Sequence, residues 1–186
     1  QRVQNIPASG IRKYFDLLTS MEGAISLGVG EPDFDTPWHI CEAGIYAIEK
    51  GYTMYTSNYG LIELRDALSG HIHEHHAVAY DPKTEILITT GSSEALDLAM
   101  RAVVDPGDEV IISDPGYVAY MPCIIMAGGT VVPVPTDARH AFKLGVAEVE
   151  RRITAKTKAI LLGYPNNPTG AVMDRDDLLA ISRLAE

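Results

Sequence analysis

The sequence predicts an α/β fold, a three-layer α/β/α arrangement around a mostly parallel sheet. Three observations carry this. From residue 85 onward, short apolar runs alternate with longer amphipathic stretches. The runs are continuously hydrophobic and do not alternate with polar residues, as strands covered on both faces require. The breaks between them hold Gly, Pro, Asn and Asp, the residues of turns. A strand–helix–strand succession of this kind favours parallel pairing with right-handed crossovers.

The elements follow in order. Residues 11–18 space their apolar side chains as a short amphipathic helix, too small to stand alone. Ile25, Ser26 and Leu27 begin a strand that enters a turn-rich loop through Gly28, Val29 and Gly30. Residues 38–50 read as a helix that Gly51 ends, and another helix starts at Leu61 after a tyrosine-rich stretch. Strands are expected over 85–90, 109–112, 130–134 and 158–162, with helices over 92–104, 117–126 and 146–153. Residues 174–186 carry the acidic first turn and spaced leucines of a last helix. Pro133 has no amide hydrogen to donate, so its strand lies at a sheet edge or ends there. There is no internal repeat.

The 186 residues include 25 acidic and 15 basic side chains, a net charge of −10. No Lys/Arg block or stripe is present, which argues against nucleic acid as a partner. Cys41 and Cys123 lack CxxC or metal-ligand spacing and suit a reducing, cytoplasmic setting. Residues 115–136 carry no charge, yet Pro115, Pro122, Pro133 and Pro135 interrupt them, with Gly116, Gly128 and Gly129. They read as helix, turn and strand in a core, not as a membrane span. No secretory signal is visible. The chain begins at Gln1 and stops at Glu186 within a helical pattern, so it is expected to be part of a longer protein.

Three loops should converge at strand ends. In Gly163-Tyr164-Pro165-Asn166-Asn167-Pro168-Thr169-Gly170, Pro168 pushes Asn167 towards extended geometry, and the bond between them can also be cis. An ordinary turn would use the same residues; a stiff loop at a strand's carboxyl end is also where α/β sheets bind ligands. Thr90-Gly91-Ser92-Ser93-Glu94 opens a helix, either as a plain serine cap or as an anion site of hydroxyls and backbone N–H groups. Asp114-Pro115-Gly116-Tyr117 presents an aromatic ring suited to covering a flat heterocycle. Tyr120, one turn later, is expected in the core.

Two tempting motifs are set aside. Gly28-Val29-Gly30 lacks the third glycine of a dinucleotide fingerprint, and Pro32 stands where the phosphate-binding helix should begin. His71, His73, His75 and His76 suggest a metal, but no Cys or Asp cluster completes a shell, so a solvated helix end is the better account and no metal is expected.

Three stretches together resemble the fold-type I, pyridoxal-phosphate-dependent aminotransferases of class I/II. They are Ser-Leu-Gly-Val-Gly-Glu-Pro-Asp-Phe-Asp-Thr-Pro (26–37), the spacing Tyr55-x-x-x-x-Gly60-Leu61-x-Glu63-Leu64-Arg65-x-Ala67, and Asn167-Pro168-Thr169-Gly170. The resemblance implies that Ser92 and Ser93 cradle the phosphate of pyridoxal 5'-phosphate, Tyr117 stacks on its ring, and Asn167 donates to its 3-hydroxyl oxygen. It implies that Tyr55 reaches across a homodimer interface to the neighbour's phosphate. It also implies that the Gly30 N–H meets the substrate α-carboxylate, with Tyr117 and Asn167 bordering the same substrate. Glu94 departs in sign, since a carboxylate beside a dianion is unfavourable unless it points away.

The family's Schiff-base lysine, its acidic partner for the ring nitrogen and its substrate arginines follow the Asn-Pro-Thr-Gly loop. Lys13, Lys50, Lys83, Lys143, Lys156 and Lys158 match no Ser-x-x-Lys setting, so the chain supplies no catalytic lysine. The resemblance covers nearly all of the chain but about the first half of the family's length. Residues 1–36 are then an N-terminal arm and small-domain segment, and 37–186 the first part of the large cofactor-binding domain. The implied parent is a transaminase acting on an amino acid of aspartate or aromatic type and a 2-oxo acid, while residues 1–186 alone should be inactive. The alternatives are a carbon–sulfur lyase or an aminocyclopropane-carboxylate-synthase-like enzyme of the same fold, or a non-catalytic binding module.

Overall fold

The computed structural model describes residues 32–186 together with Gln4, Ile6, Met21, Gly23, Ile25 and Gly30. The helix expected over residues 11–18 lies outside the described residues, as does the strand expected from Ile25 beyond Ile25 itself. The chain forms two compact units, one of Gly10–Thr89 and one of Gln1–Ser9 with Thr90–Glu186.

The first unit holds α1 (Trp38–Glu49) and α2 (Ile62–His76). Gly51 ends α1 as expected. At φ 74° it takes the left-handed conformation that a Cβ disfavours, so its N–H reaches the Ile48 carbonyl and that of Tyr52 reaches Ala47, both at 2.9 Å. Arg65 on α2 is buried and donates to the Pro82 carbonyl at 2.6 Å, with its guanidinium 5.8 Å from the centre of the Tyr59 ring. Residues 85–90 do not form the expected strand. An apolar run needs a neighbouring edge to become a ladder, and Ile88 donates its N–H to the Tyr59 carbonyl instead.

The second unit contains α3 (Gly91–Val103), β1 (Glu109–Asp114), α4 (Tyr120–Ala127), β2 (Thr130–Pro135), a 3-10 turn (Ala138–His140), α5 (Val146–Glu150), β3 (Thr157–Leu161) and α6 (Arg175–Ser182). The three strands pair in parallel in the order β2-β1-β3, so Pro133 lies on an edge strand, opposite Ile112. The centre of β1 is buried on both sides, which explains its unbroken apolar run. Val110 and Ile112 pack with Met100, Tyr120, Cys123 and Ile124 under α3 and α4. Ile111 packs the other way, with Val134, Leu144, Val149 and Ile181 under α5 and α6. Alternate residues of one strand thus nucleate two cores and give the three layers. The chain leaves β1 for β2 with a helix on one face, then passes β1 to reach β3 with a helix on the other. Direction and face reverse together, so both crossovers share one hand.

Some helix ends differ from expectation. The first turn after Pro115 is a tight one, with Tyr120 N–H on the Tyr117 carbonyl, so α4 starts three residues later than residue 117. From Arg152 the backbone bonds shorten to the i−3 pattern and α5 ends before residue 153.

Candidate functional site

β1 and β3 lie side by side and send the chain to opposite faces. The loop after β1 leads to α4 above Val110 and Ile112, and the loop after β3 leads to α6, whose Ile181 packs with Ile111. Such divergence opens a crevice at the carboxyl ends of the two strands. A cavity of about 690 Å³ is found there, lined among others by Ser92, Leu96, Tyr117, Tyr120, Leu161 and Asn167. None of its lining residues is a lysine.

Each wall has a local cause. The β1 loop turns at Gly116, where a Cβ would stand 2.6 Å from the Ser113 carbonyl oxygen, so only glycine fits. The turn delivers Tyr117, half-buried, with its ring edge-on to Tyr120 at 5.7 Å and 82°. Tyr120 is buried in the core as expected. Burial first, and the neighbouring Tyr117 second, push its phenol above the ordinary value. Its hydroxyl occupies the space a side chain would need at Gly163, so the β3 loop passes the Tyr120 ring at close range.

The β3 loop is closed by Asn166, which is 5% exposed. Beyond it Asn167 is exposed on the cavity, and its bond to Pro168 is cis. The third wall is the start of α3. Thr90 gives that helix no side-chain cap, and Ser92 and Ser93 are exposed on its first turn. The Glu94 carboxylate turns back to accept the Thr90 N–H, which ties up its charge at the residue preceding the helix. Ser93 Oγ lies 3.1 Å from the Tyr117 hydroxyl, joining the first and third walls.

The cavity therefore has one end made of hydroxyls at a helix N-terminus, an aromatic side and a projecting amide. That donor set fits a flat molecule carrying an anionic group: dipole and hydroxyls for the anion, ring for the plane, amide for a polar substituent. Ser92, Ser93, Tyr117 and Asn167 are thus brought together. Gly30 and Tyr55 belong to the other unit. A Cβ at Gly30 would meet nothing within 4 Å, and Tyr55 is 105% exposed. His71, His73, His75 and His76 fall in the last turns of α2, with the rings of His71 and His75 4.1 Å apart and His75 Nδ1 2.9 Å from the His71 carbonyl oxygen. Among the described residues no group of three or more His, Cys, Asp or Glu is placed to hold a metal, and no helix is long and apolar enough to cross a membrane.

Asn166 is the residue that reading the sequence missed. A signal was present: an Asn three residues before Thr169 can accept that residue's N–H, the same side-chain-to-backbone bond that an N-cap makes. With two consecutive asparagines, though, nothing local says which is buried.

Known proteins resemble this chain in sequence and in structure. A putative aminotransferase, YugH, of Bacillus subtilis is 50% identical over 99% of this chain and 48% of its own. Aromatic-amino-acid aminotransferase 2 of Thermococcus litoralis is 44% identical over 99% of this chain and 47% of its own. The structure of the Thermus thermophilus aspartate aminotransferase with maleate superimposes with a TM-score of 0.91 at 39% identity, covering 99% of this chain and 49% of that one. The chain spans about half the length of the curated relatives it matches. Residues 22–186 match the family "Aminotransferase class I and II". With the sheet order, the crevice and these likenesses in agreement, the chain belongs to the class I and II aminotransferases.

Proposed function

We propose that the full-length protein is a pyridoxal-phosphate-dependent transaminase that exchanges an amino group between an amino acid and a 2-oxo acid. The observation that carries this reading is that Ser92, Tyr117 and Asn167 line one cavity, with Ser93 hydrogen-bonded to Tyr117. When bound, pyridoxal phosphate supplies an electron sink for negative charge at the substrate α-carbon. The residues of this chain bind and orient. Ser92, Ser93 and the first turn of α3 hold the phosphate. Tyr117 covers the ring and excludes water from one side. Asn167 donates its amide N–H to the 3-oxygen and favours its ionised form.

In the same reading the Gly30 N–H takes the substrate α-carboxylate, and Tyr55 crosses a homodimer interface to a neighbouring phosphate. Residues 1–36 are an arm and small-domain segment, 37–186 the first part of the cofactor-binding domain. The cofactor-bonding lysine is supplied by sequence beyond residue 186. Substrates are amino acids of aspartate or aromatic type, with their 2-oxo acids; aspartate and aromatic aminotransferases among the relatives, and a structure of one with maleate, a dicarboxylate, support that choice. The setting is cytoplasmic amino-acid metabolism.

The test is an incubation of the full-length protein with an amino acid, a 2-oxo acid and pyridoxal phosphate. The expected product is the amino acid corresponding to the added oxo acid, formed only with cofactor. Release of ammonia without a new amino acid would point to a lyase and sink the reading. Residues 1–186 alone are expected to give no product; turnover by them would overturn the assignment of the lysine.

A further inference from the structure

Asn166 does not line the cavity, yet every hydrogen-bonding group it has is engaged. Its N–H donates to the Ala171 carbonyl at 2.8 Å and its carbonyl accepts the Gly170 N–H at 2.7 Å. Its side-chain oxygen accepts from Thr169 twice, from the hydroxyl at 2.9 Å and the N–H at 3.3 Å. The Thr169 hydroxyl oxygen accepts in turn from Ala171 N–H at 3.2 Å. These bonds close residues 166–171 into one turn, with Asn167 projecting from it. The remaining group, the side-chain NH2, donates to Ser113 Oγ at 3.4 Å. Ser113 is 3% exposed and stands in β1 just before the turn that delivers Tyr117.

We infer that Asn166 is a positioning residue for the cofactor: through a buried bridge to Ser113 it fixes the Asn167 loop to the strand end that carries Tyr117. This rests on the reading of the cavity as the pyridoxal-phosphate site. The two walls leave the sheet towards opposite faces, so no shared helix sets their separation. A buried amide satisfied at both ends has one arrangement only, because any rotation leaves a donor or acceptor unpaired in the interior. Few side chains could do the same: the role requires an acceptor for Thr169 and a donor for Ser113 at the end of a short stem.

The test uses the full-length protein stripped of cofactor and titrated with pyridoxal phosphate. Wild type, Asn167→Ala, Asn166→Ala, the double variant and Ser113→Ala are compared. Two readouts are taken: the dissociation constant, and the pH midpoint at which the visible band of the bound cofactor changes. Asn166→Ala should weaken binding by about tenfold, because the Asn167 amide it holds in place then meets the cofactor less well. It should also move the pH midpoint upward, as Asn167→Ala does, since a loosened amide stabilises the ionised oxygen less. In the Asn167→Ala background it should add less than about twofold, because its effect passes through Asn167. Ser113→Ala should shift both readouts in the same direction by a smaller factor.

Full additivity in the double variant, or an unmoved pH midpoint, would make Asn166 a packing residue and overturn the inference. If Asn166→Ala does not fold, Ser113→Ala decides: no change in either readout removes the bridge from the mechanism. Failure of wild type to bind, or an Asn167→Ala variant identical to wild type, would sink the functional reading instead.

Discussion

The loop that carries Asn167 and the stretch that carries Tyr55 are held by different means. Residues 163–171 are braced from their own unit: Gly163 passes the Tyr120 ring, Asn166 is buried, and Gly170 and Ala171 bond back to it. On either side of Tyr55 the backbone bonds include short-range ones, Thr53 N–H to the Gly51 carbonyl and Gly60 N–H to the Ser57 carbonyl; the longer tie, Ile88 N–H to the Tyr59 carbonyl, comes four residues after Tyr55, and Tyr52, Met54 and Tyr55 are largely exposed. Helix α1 just before it has no buried residue. The difference separates two kinds of site residue. Asn167 has its geometry built in, whereas any role for Tyr55 requires a contact that its own described surroundings do not supply.

The largest effect expected from this contrast is chemical. In the full-length protein, Asn167→Ala should lower kcat/KM by roughly 10–100-fold, the worth of a hydrogen bond to a charged group. The unfolding midpoint of the cofactor-free protein should stay close to wild type, because the side chain is exposed. An unchanged kcat/KM would remove Asn167 from the site. Next comes the brace itself. Gly163→Ala drives a methyl group into the Tyr120 hydroxyl and should destabilise by about 1–3 kcal/mol in urea titration. At Gly170 there is open space but φ is 70°, so alanine there should lose about 1–2 kcal/mol from backbone conformation alone. If Gly163→Ala were as stable as wild type, the loop would not be seated against Tyr120 and the comparison would fail on its braced side.

Tyr55 tests the other side. Tyr55→Ala should change unfolding stability by no more than about 0.5 kcal/mol, as for a surface residue. Cofactor retention in the full-length protein should nevertheless fall, and restoring the hydroxyl-free ring with Tyr55→Phe should leave it impaired if the phenol meets a phosphate. A clear loss of stability on Tyr55→Ala would mean that the ring packs within its own chain.

How much of this was legible beforehand follows the same line. β1 could be read because a strand covered on both faces shows one unbroken apolar run, and Gly51 because a helix that must reverse its backbone uses glycine. Pro133 signalled its edge because a missing amide hydrogen is a local fact. That three strand-end loops converge follows from the fold class, but that Ser92, Ser93, Tyr117 and Asn167 serve one ligand came only from the resemblance to a family, since nothing local assigns side chains of separate loops to one molecule. Residues 85–90 were misread because a strand is a property of two chains and their partner edge is not written in the run itself. Asn166 was missed because burial is tertiary: beside Asn167 it has the same chemistry, and only the fold turns one inward to Ser113 and the other outward.

The smallest expected effect concerns α6, which follows the Asn167 loop directly. Asp174 caps this helix by accepting the Asp177 N–H, and Lys143 Nζ reaches Asp174 at 2.9 Å and Asp177 at 2.5 Å. The Asp177 N–H first, and the Lys143 ammonium second, hold the Asp174 carboxyl at about 2, below its ordinary 3.8. Hydrogen bonds to Asp177 and then Asp174 raise Lys143 to about 12 from 10.5. A depressed carboxyl stabilises the fold fully above its unfolded value and loses that contribution as pH falls through about 2; a raised amine does so below its unfolded value and loses it as pH rises through about 12. The stability difference between wild type and Lys143→Met should therefore be flat from about pH 4 to about pH 10 and shrink outside those limits. Asp137, held at about 2 by Arg139 and His140, titrates in both proteins and cancels in the difference. Because the pair is exposed, added salt should reduce the plateau as well. A difference that persisted undiminished at both extremes would mean that Lys143 acts on the helix behind the Asn167 loop through packing of its stem and not through its charge.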